Sequence, residues 1–203
     1  MSVTIQRKGM LLIISGPSGT GKGTLVKKLM DSDPSIRFSC SVTTRAPRLG
    51  EIEGVHYHFV TQEVYDQMVA GDEFLEHATV HNHSYGTLRQ PVRELMEQGY
   101  NVLLDIDPQG ALTVMANAEE YVSVFILPPS FEDLRIRLHT RNTDDPVEIE
   151  RRLNNARGEV TKLDRYQYAV INDNLELAFT QLQSIVNAEK QRTIRFKPTI
   201  HED

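Results

Sequence analysis

A glycine-rich turn between an apolar run and a helix-forming segment has the clearest chemistry in the sequence. The run from Met10 to Ile14 is followed by Ser-Gly-Pro-Ser-Gly-Thr-Gly-Lys-Gly-Thr, residues 15–24. Its alternate glycines allow backbone angles that a side chain would forbid, so N–H groups can turn inward around an anion. The positive end of the following helix and the ammonium of Lys22 favour the same anion. This G-x-x-x-x-G-K pattern between a strand and a helix predicts a phosphate loop. The predicted nucleotide-binding residues are Gly16, Pro17, Ser18, Gly19, Thr20, Gly21, Lys22, Gly23 and Thr24.

A magnesium site is predicted beside this loop. The residue after the lysine is usually Ser or Thr, whose hydroxyl reaches the metal, but here it is Gly23. Thr24 or a water is therefore expected to replace that hydroxyl. Asp105 ends an apolar strand, where phosphate-loop enzymes carry an acidic residue that helps to hold magnesium. Asp107 follows closely, although capping of the helix that begins near Pro108 explains this residue equally well. The predicted Mg²⁺ ligands, direct or through water, are Thr24, Asp105 and Asp107.

Two groups of arginines could bind further phosphate oxygens. Arg45 and Arg48 lie three residues apart beside hydroxyl residues, and two guanidinium groups in one loop suit a phosphate. Tyr57 and Tyr85 could donate further hydrogen bonds to it. The second group flanks an acidic turn at 143–145 and comprises Arg137, Arg141, Arg151 and Arg152. Arginines on a hinged lobe can close over phosphates, whereas a solvated helix face explains Arg151 better.

The elements that must position these residues alternate between strands and helices. Strands are predicted at 10–14, 38–43, 57–60, 74–80, 101–105, 122–127 and 168–171, and helices at 21–30, 61–70, 87–98, 130–140, 145–164 and 175–186. This order predicts an α/β fold of three layers, a phosphate-loop fold with a central parallel sheet, in which ligands bind beyond the carboxyl ends of the strands. Residues 9–189 are expected to form one domain, with inserted lobes at about 37–88 and 137–160. Residues 190–203 are expected to be a polar tail that is loosely held from Arg192 onward.

Composition narrows the choice of function. The chain has 203 residues and a formal net charge of -6, which argues against a general nucleic-acid binder. Cys40 is its only cysteine, so no internal disulfide is possible and a reducing cytoplasm fits. No signal peptide is recognisable and no stretch approaches the length of a membrane span. We therefore expect a cytoplasmic protein that acts on small molecules, without nucleic-acid or membrane partners. Its oligomeric state stays open.

The chain resembles guanylate kinase over about residues 9–190. The shared motifs are Ser-Gly-Pro-Ser-Gly-Thr-Gly-Lys, Thr-Thr-Arg-x-Pro-Arg-x-Gly-Glu, Phe-Leu-Glu-His-Ala, Tyr-Gly-Thr, Asp-Ile-Asp-x-Gln-Gly-Ala and Leu-Pro-Pro-Ser. The resemblance implies transfer of the γ-phosphoryl group of ATP to GMP, with magnesium as cofactor and dGMP as a further acceptor. It also implies that the insert at 37–88 binds GMP and that the insert at 137–160 is a mobile lid.

The resemblance also implies roles for single residues. The GMP phosphate would be held by Arg45, Arg48, Tyr57 and Tyr85, and guanine by Ser41, Glu76, Thr87 and Asp105. The lid arginines would be Arg137, Arg141 and Arg152, and Asn172 would lie near the adenine of ATP. The residues expected to act in catalysis are Lys22, Arg45, Arg137, Arg141 and Arg152. No general base is needed, because the attacking phosphate oxygen is already ionised near neutral pH.

The chemistry of Glu76 agrees with a guanine site. Guanine presents N1–H and an exocyclic amine along one edge, and a carboxylate can accept from both. Adenine presents an acceptor at N1, which would face a carboxylate lone pair. Such an unpaired buried group can discriminate between bases by about 10⁴-fold or more.

Three alternatives stay open at this stage. The chain could be a non-catalytic module with a guanylate-kinase-like fold, which would bind GMP without turnover. It could phosphorylate another monophosphate, such as AMP or dUMP. Finally, His77, His81 and His83 lie close enough in sequence for a metal site, although surface or pocket-edge positions explain them better.

Overall fold

The computed structural model describes residues 2–80, 82–140 and 146–201 as alternating strands and helices. The strands are β1 Ser2–Arg7, β2 Leu11–Ser15, β3 Ile36–Phe38, β4 Ser41–Thr43, β5 Tyr57–Phe59, β6 Phe74–Val80, β7 His83–Leu88, β8 Asn101–Asp105, β9 Val122–Leu127, β10 Tyr168–Ile171 and β11 Phe196–His201. The helices are α1 Lys22–Ser32, α2 Gln62–Ala70, α3 Arg89–Glu97, α4 Pro108–Asn117, α5 Phe131–Thr140, α6 Pro146–Val160 and α7 Leu175–Lys190, with a 3₁₀ turn at Leu163–Arg165. No helix in these ranges is long and apolar enough to cross a membrane.

The central sheet is parallel and has five strands in the order β10-β9-β2-β8-β3. Alternate residues of β2 point to opposite faces, which explains its continuous apolar sequence. Leu12 and Ile14 pack in a core cluster that includes residues of α1 and α7. Leu11 and Ile13 pack in a second cluster with residues of α3 and α4. The three-layer α/β fold with a central parallel sheet is therefore confirmed.

A second sheet, in the order β5-β4-β7-β6, is formed within residues 41–88. β7 runs antiparallel to both β4 and β6. Its small core contains Val42, Tyr65 and Phe74. A Cβ at Gly86 would lie only 2.6 Å from the ring of Phe74, so glycine lets the ring lie against the strand. This sheet also joins α4, where the Asn117 side-chain amide donates to the carbonyl of Leu75 at 2.9 Å.

Helices α5 and α6 pack against each other as a pair. Their interface is a separate apolar cluster made of Leu134, Leu138, Ile149, Leu153 and Ala156. The two helices flank residues 141–145, which include Arg141 and lie outside the described residues. The two helices therefore share a small apolar core of their own.

Two predicted element boundaries are wrong. The single strand expected at 38–43 is two strands, because β3 pairs with β8 in the central sheet and β4 pairs with β5 and β7 in the second sheet. The helix expected from Thr87 begins instead at Arg89, because Thr87 pairs with Glu76 across β6 and β7. Cross-strand pairing outweighs local helix propensity at this position.

The expectation of a loosely held tail is also wrong. Strand β11 pairs antiparallel with β1 over six residue pairs, from Ser2↔His201 to Arg7↔Phe196. Arg195, at the start of this ribbon, is only 2% exposed. Its guanidinium donates to a Glu189 carboxylate oxygen at 2.6 Å and lies 2.5 Å from a Glu120 oxygen. A buried ion pair thus anchors the ribbon to the end of α7.

Candidate functional site

The phosphate loop follows β2 and depends on glycine at its turns. Gly16, Gly19 and Gly21 have φ angles of 136°, 89° and 87°. A Cβ at Gly16 would lie 2.2 Å from the carbonyl oxygen of Ile126. A Cβ at Gly21 would lie 2.4 Å from the side-chain amide nitrogen of Asn172. Backbone conformation and space therefore both require glycine here. The Lys22 ammonium folds back over the loop and donates to the Gly16 carbonyl at 2.6 Å.

A cleft of about 370 Å³ opens between this loop and the carboxyl end of β8. Because β2 and β8 are parallel neighbours, the loop and Asp105 meet at the same sheet edge. Burial raises the pKa of Asp105, and the charge of Lys22 opposes that rise. The residues that line the cleft are Gly16, Ser18, Gly19, Gly21, Lys22, Gly23, Asp105, Ile106, Asp107 and Glu159.

The three predicted magnesium ligands lie in two places. Asp105 and Asp107 line the cleft with Lys22. Asp107 also caps α4, because one of its oxygens accepts from the N–H groups of Gln109 at 2.7 Å and Gly110 at 3.1 Å. Thr24 lines a second cleft of about 420 Å³ with Arg137 and Asn172, and the two clefts share Gly19 and Gly21 of the loop. Thr24 is thus not among the residues that line the cleft of the two aspartates.

The second cleft is organised by hydrogen bonds between the loop, α5 and the segment after β10. The buried side-chain amide of Asn172 donates to the Thr20 carbonyl at 2.7 Å. Arg137 donates to the Asn172 carbonyl at 2.8 Å and reaches the Thr20 carbonyl at 3.5 Å. Arg137 and Asn172, predicted from distant parts of the sequence, are thus neighbours beside the phosphate loop.

Arg152 lies on α6 in a local ion-pair group. Its Nε donates to Glu148 at 3.2 Å, and Arg151 donates to the same carboxylate at 2.6 and 2.8 Å. Arg151 and Arg152 together lower the pKa of Glu148 to about 2. The predicted lid arginine Arg141 lies outside the described residues. Among the described arginines of this group, Arg137 is the one whose hydrogen bonds place it beside the loop.

The predicted acceptor-phosphate residues surround the loop between β4 and β5. One guanidinium nitrogen of Arg45 donates to both oxygens of Glu51, at 2.8 and 3.0 Å, and the guanidinium carbon lies 5.5 Å from the centre of the Tyr57 ring. The Tyr57 and Tyr85 rings meet edge to face at 6.0 Å. Arg48 is exposed, and Ser41 pairs with Tyr57 across β4 and β5. These side chains form a positively charged aromatic corner of the second sheet.

Glu76 and Thr87 form the centre of the predicted guanine site. They oppose each other on β6 and β7, and the Thr87 hydroxyl donates to a Glu76 oxygen at 2.7 Å. The other oxygen faces the first turn of α4, where a Cβ at Gly110 would lie 3.5 Å away. Burial raises the pKa of Glu76, the Thr87 hydrogen bond opposes the rise, and the charge of Asp107 adds to it. The carboxylate is thus placed between the second sheet and the edge of the loop cleft.

Comparison with known proteins decides the family. A model of the guanylate kinase family matches residues 8–189. This chain belongs to the guanylate kinase family. Guanylate kinases of Clostridium perfringens strain SM101 and Syntrophotalea carbinolica are 45% and 48% identical to it, over 96% and 95% of this chain and 90% and 92% of their own. A crystal structure of guanylate kinase from Anaplasma phagocytophilum superposes with a TM-score of 0.72 at 34% identity, over 96% of this chain and 93% of that one.

Within the guanylate kinase fold, two acidic residues near the sites were not predicted from the sequence. Glu51 binds Arg45, and the motif Thr-Thr-Arg-x-Pro-Arg-x-Gly-Glu contains it, so a signal was present. Glu159 lines the loop cleft near Lys22 from the end of α6, and burial raises its pKa. Nothing in its local sequence separates it from the other charges of that helix.

The histidine alternative finds no support among the described residues. His77 lies on β6 opposite Gly86, and His83 begins β7 opposite Val80. His81 lies outside the described ranges. Within those ranges no group of three or more His, Cys, Asp and Glu side chains could hold a metal ion.

Proposed function

We propose that this member of the guanylate kinase family is an ATP:GMP phosphotransferase, which converts ATP and GMP to ADP and GDP and also accepts dGMP. The observation that carries the specificity is the Glu76 carboxylate, held by Thr87 and close enough to Asp107 to feel its charge. That carboxylate can accept the N1–H and exocyclic amine of guanine together. Because this carboxylate lies near the phosphate loop, the acceptor GMP and the donor ATP would bind at the same edge of the central sheet.

On the donor side, the phosphate loop would bind the ATP phosphates through its N–H groups and Lys22. Asn172 would lie near adenine, and Arg137 is already beside the loop. Arg141 and Arg152 would join it when residues 137–160 close as a lid. These cations would neutralise the charge of the transferring phosphoryl group, and closure would exclude water.

On the acceptor side, residues 37–88 would form the GMP-binding lobe. Arg45, Arg48, Tyr57 and Tyr85 would hold the GMP phosphate, and Ser41, Thr87 and Asp105 would join Glu76 around guanine. Catalysis would then consist of alignment and charge stabilisation, because the attacking oxygen carries its own negative charge.

Oxygen ligands at the cleft fit Mg²⁺, which prefers carboxylates and water. Asp105 and Asp107 line the cleft with Lys22 and would hold the ion directly or through water. When bound, the ion supplies charge neutralisation at the ATP phosphates. Thr24 is the weaker candidate, since it lines the neighbouring cleft. We further propose that the enzyme acts in the cytoplasm, without nucleic-acid or membrane partners.

A coupled assay of ADP release tests the proposal. The purified chain is supplied with ATP and with GMP, dGMP, AMP or dUMP, in the presence and absence of Mg²⁺. We expect Mg²⁺-dependent ADP release with GMP and dGMP only. Tight GMP binding without ADP release would instead indicate a non-catalytic module, and equal rates with AMP and GMP would refute the guanine specificity.

A further inference from the structure

Glu51 holds the side chain of Arg45 from one side. Both carboxylate oxygens accept from one guanidinium nitrogen, at 2.8 and 3.0 Å, while the other terminal nitrogen donates to the Ala46 carbonyl at 2.8 Å. The side chains of Arg45 and Glu51 are only 11% and 18% exposed. Together with the Tyr57 ring, these contacts fix the guanidinium in one place and orientation.

The same carboxylate also holds the backbone of Arg48. The Arg48 N–H donates to a Glu51 oxygen at 2.7 Å, and the Glu51 N–H donates back to the Arg48 carbonyl at 3.0 Å. Gly50, with a φ of 88°, supplies the left-handed position that this tight turn needs. One side chain therefore fixes the turn that carries Arg48 and the guanidinium of Arg45.

We propose that Glu51 is a positioning residue for the acceptor phosphate, which sets the relative placement of Arg45 and Arg48 before GMP binds. This inference rests on the proposed function, because it assigns these two arginines to the GMP phosphate. Glu51 itself touches no substrate in this role. Its effect reaches the phosphate only through the two arginines.

Donor counting favours positioning over competition with the phosphate. An arginine has five N–H groups. Arg45 uses two on Glu51 and one on Ala46, and Tyr85 is within hydrogen-bonding reach of the same guanidinium, which still leaves a donor for an anion. Glu51 cannot follow a phosphate or withdraw freely, because its second oxygen is tied to the Arg48 backbone. A guanidinium that is already fixed loses little further side-chain freedom when it binds a phosphate.

The test is Glu51→Gln, with Glu53→Gln as its matched control. Glu53 lies in the same loop and accepts from His58 and from the Phe59 N–H, with no arginine partner among its hydrogen bonds to described residues. We expect Glu51→Gln to raise the KM for GMP about tenfold or more while the KM for ATP stays nearly constant. Glu53→Gln should leave both values near those of the parent enzyme.

Direct binding separates a phosphate effect from a general change in the lobe. Calorimetric titration without ATP compares GMP with guanosine, which has the base but no phosphate. Glu51→Gln should weaken GMP binding and leave guanosine binding unchanged. Glu51→Asp keeps the charge but shortens the reach, so it should also raise the KM for GMP, and melting temperatures check that each variant is folded.

A double-mutant cycle with Arg45→Met tests whether Glu51 acts through the arginine. In the Arg45→Met background, Glu51→Gln should have a much smaller effect on GMP binding than in the parent. Tighter GMP binding by Glu51→Gln, equal loss of guanosine binding, or fully additive effects would each overturn the inference. Failure of the proposed function is distinguishable, because the parent chain itself would then release no ADP with GMP.

Discussion

Replacing Glu76 by glutamine changes the proposed guanine site with almost no change of shape. The Thr87 hydroxyl can still donate to the side-chain oxygen, as it does to Glu76 at 2.7 Å. The oxygen that faces Gly110, however, becomes an NH₂ group. That group would point a donor at a donor of guanine.

The expected loss follows from two contributions. A hydrogen bond to a charged group is worth about 1.5–3 kcal/mol, and an unsatisfied buried donor costs about 1–3 kcal/mol. Together they predict a loss of about 2.5–6 kcal/mol in transition-state stabilisation, or about 70- to 25,000-fold in kcat/KM for GMP. The KM for ATP should stay the same. Activity with AMP should not fall, because an amide N–H can donate to N1 of adenine.

The coupled ADP-release assay measures these ratios, and Glu73→Gln, an exposed carboxylate three residues earlier, is the control. The pH dependence gives a second readout. Because burial raises the pKa of Glu76, the carboxylate loses its charge at a higher pH than an ordinary glutamate. The KM for GMP should therefore rise as the pH falls through that raised pKa. Glu76→Gln should lack this part of the rise and keep only the part that comes from protonation of the GMP phosphate, whose second pKa is about 6.

Stability should change in the opposite direction to activity. A carboxyl group whose pKa is raised by folding favours the folded state below its unfolded pKa, and that contribution is lost as the pH rises through the folded value. At pH 7 the glutamine variant should melt at or above the temperature of the parent, with a difference that shrinks in acid. Unchanged GMP kinetics, or equal losses for GMP and ATP, would refute the reasoning.

Three further predictions concern the loop and the ribbon. Lys22→Met should lower kcat by about 10²- to 10³-fold, because it removes the cation at the loop. The control Lys27→Met, on the exposed side of α1, should have the kcat of the parent. Equal kcat values for the two variants would contradict the role of Lys22. Gly16→Ala should destabilise the fold by about 2 kcal/mol or more in urea unfolding, since its φ and the Ile126 carbonyl both exclude a Cβ. Gly23→Ala meets open space within α1 and should instead be neutral or stabilising by up to about 1 kcal/mol, so equal losses at 16 and 23 would be the contrary result. Arg195→Met should cost about 3–5 kcal/mol of unfolding free energy, because it removes the guanidinium that pairs with the buried Glu189 carboxylate. Arg192→Met, at the exposed edge of the same group, should cost little. If the two variants unfold alike, the ribbon is not anchored by Arg195.

The sequence was sufficient for the central layers of the fold. Continuous apolar runs such as 10–14 and 101–105 are typical of strands covered on both faces. The glycine spacing after the first run is typical of a phosphate loop. These elements carry their own local signals. Their prediction therefore did not depend on knowing which strands are neighbours.

The wrong element predictions concern segments whose structure depends on pairing with strands that are distant in the sequence. Ser39 and Cys40 separate β3 from β4, but nothing in the alternating sequence shows that the two strands belong to different sheets. The sequence after Arg192 is polar, and residues 196–201 form a strand only because they pair with β1 at the other end of the chain. Pairing over such a sequence distance leaves no local signal.

Contacts between distant side chains were also not predictable at the candidate site. The family motifs were enough to predict Arg45, Arg48 and Glu76 as site residues, but they did not show which acidic side chain would orient which arginine. Glu51 binds Arg45 because the turn at Gly50 brings the two together. Thr24 is predicted as a magnesium ligand because it follows Gly23, which occupies the usual hydroxyl position after the lysine, and in the structure it lines the neighbouring cleft.

Arg137 differs from Arg45 and Arg152, two other arginines proposed for the phosphate sites, in the chemistry of its neighbours. Its hydrogen bonds to described residues end on the carbonyl oxygens of Thr20 and Asn172, whereas Arg45 and Arg152 bind carboxylates. Carbonyl groups orient a guanidinium but do not cancel its charge. Small dianions in a buffer, such as sulfate, should therefore compete with ATP before they compete with GMP. Kinetic comparisons of variants should accordingly be made in chloride at constant ionic strength.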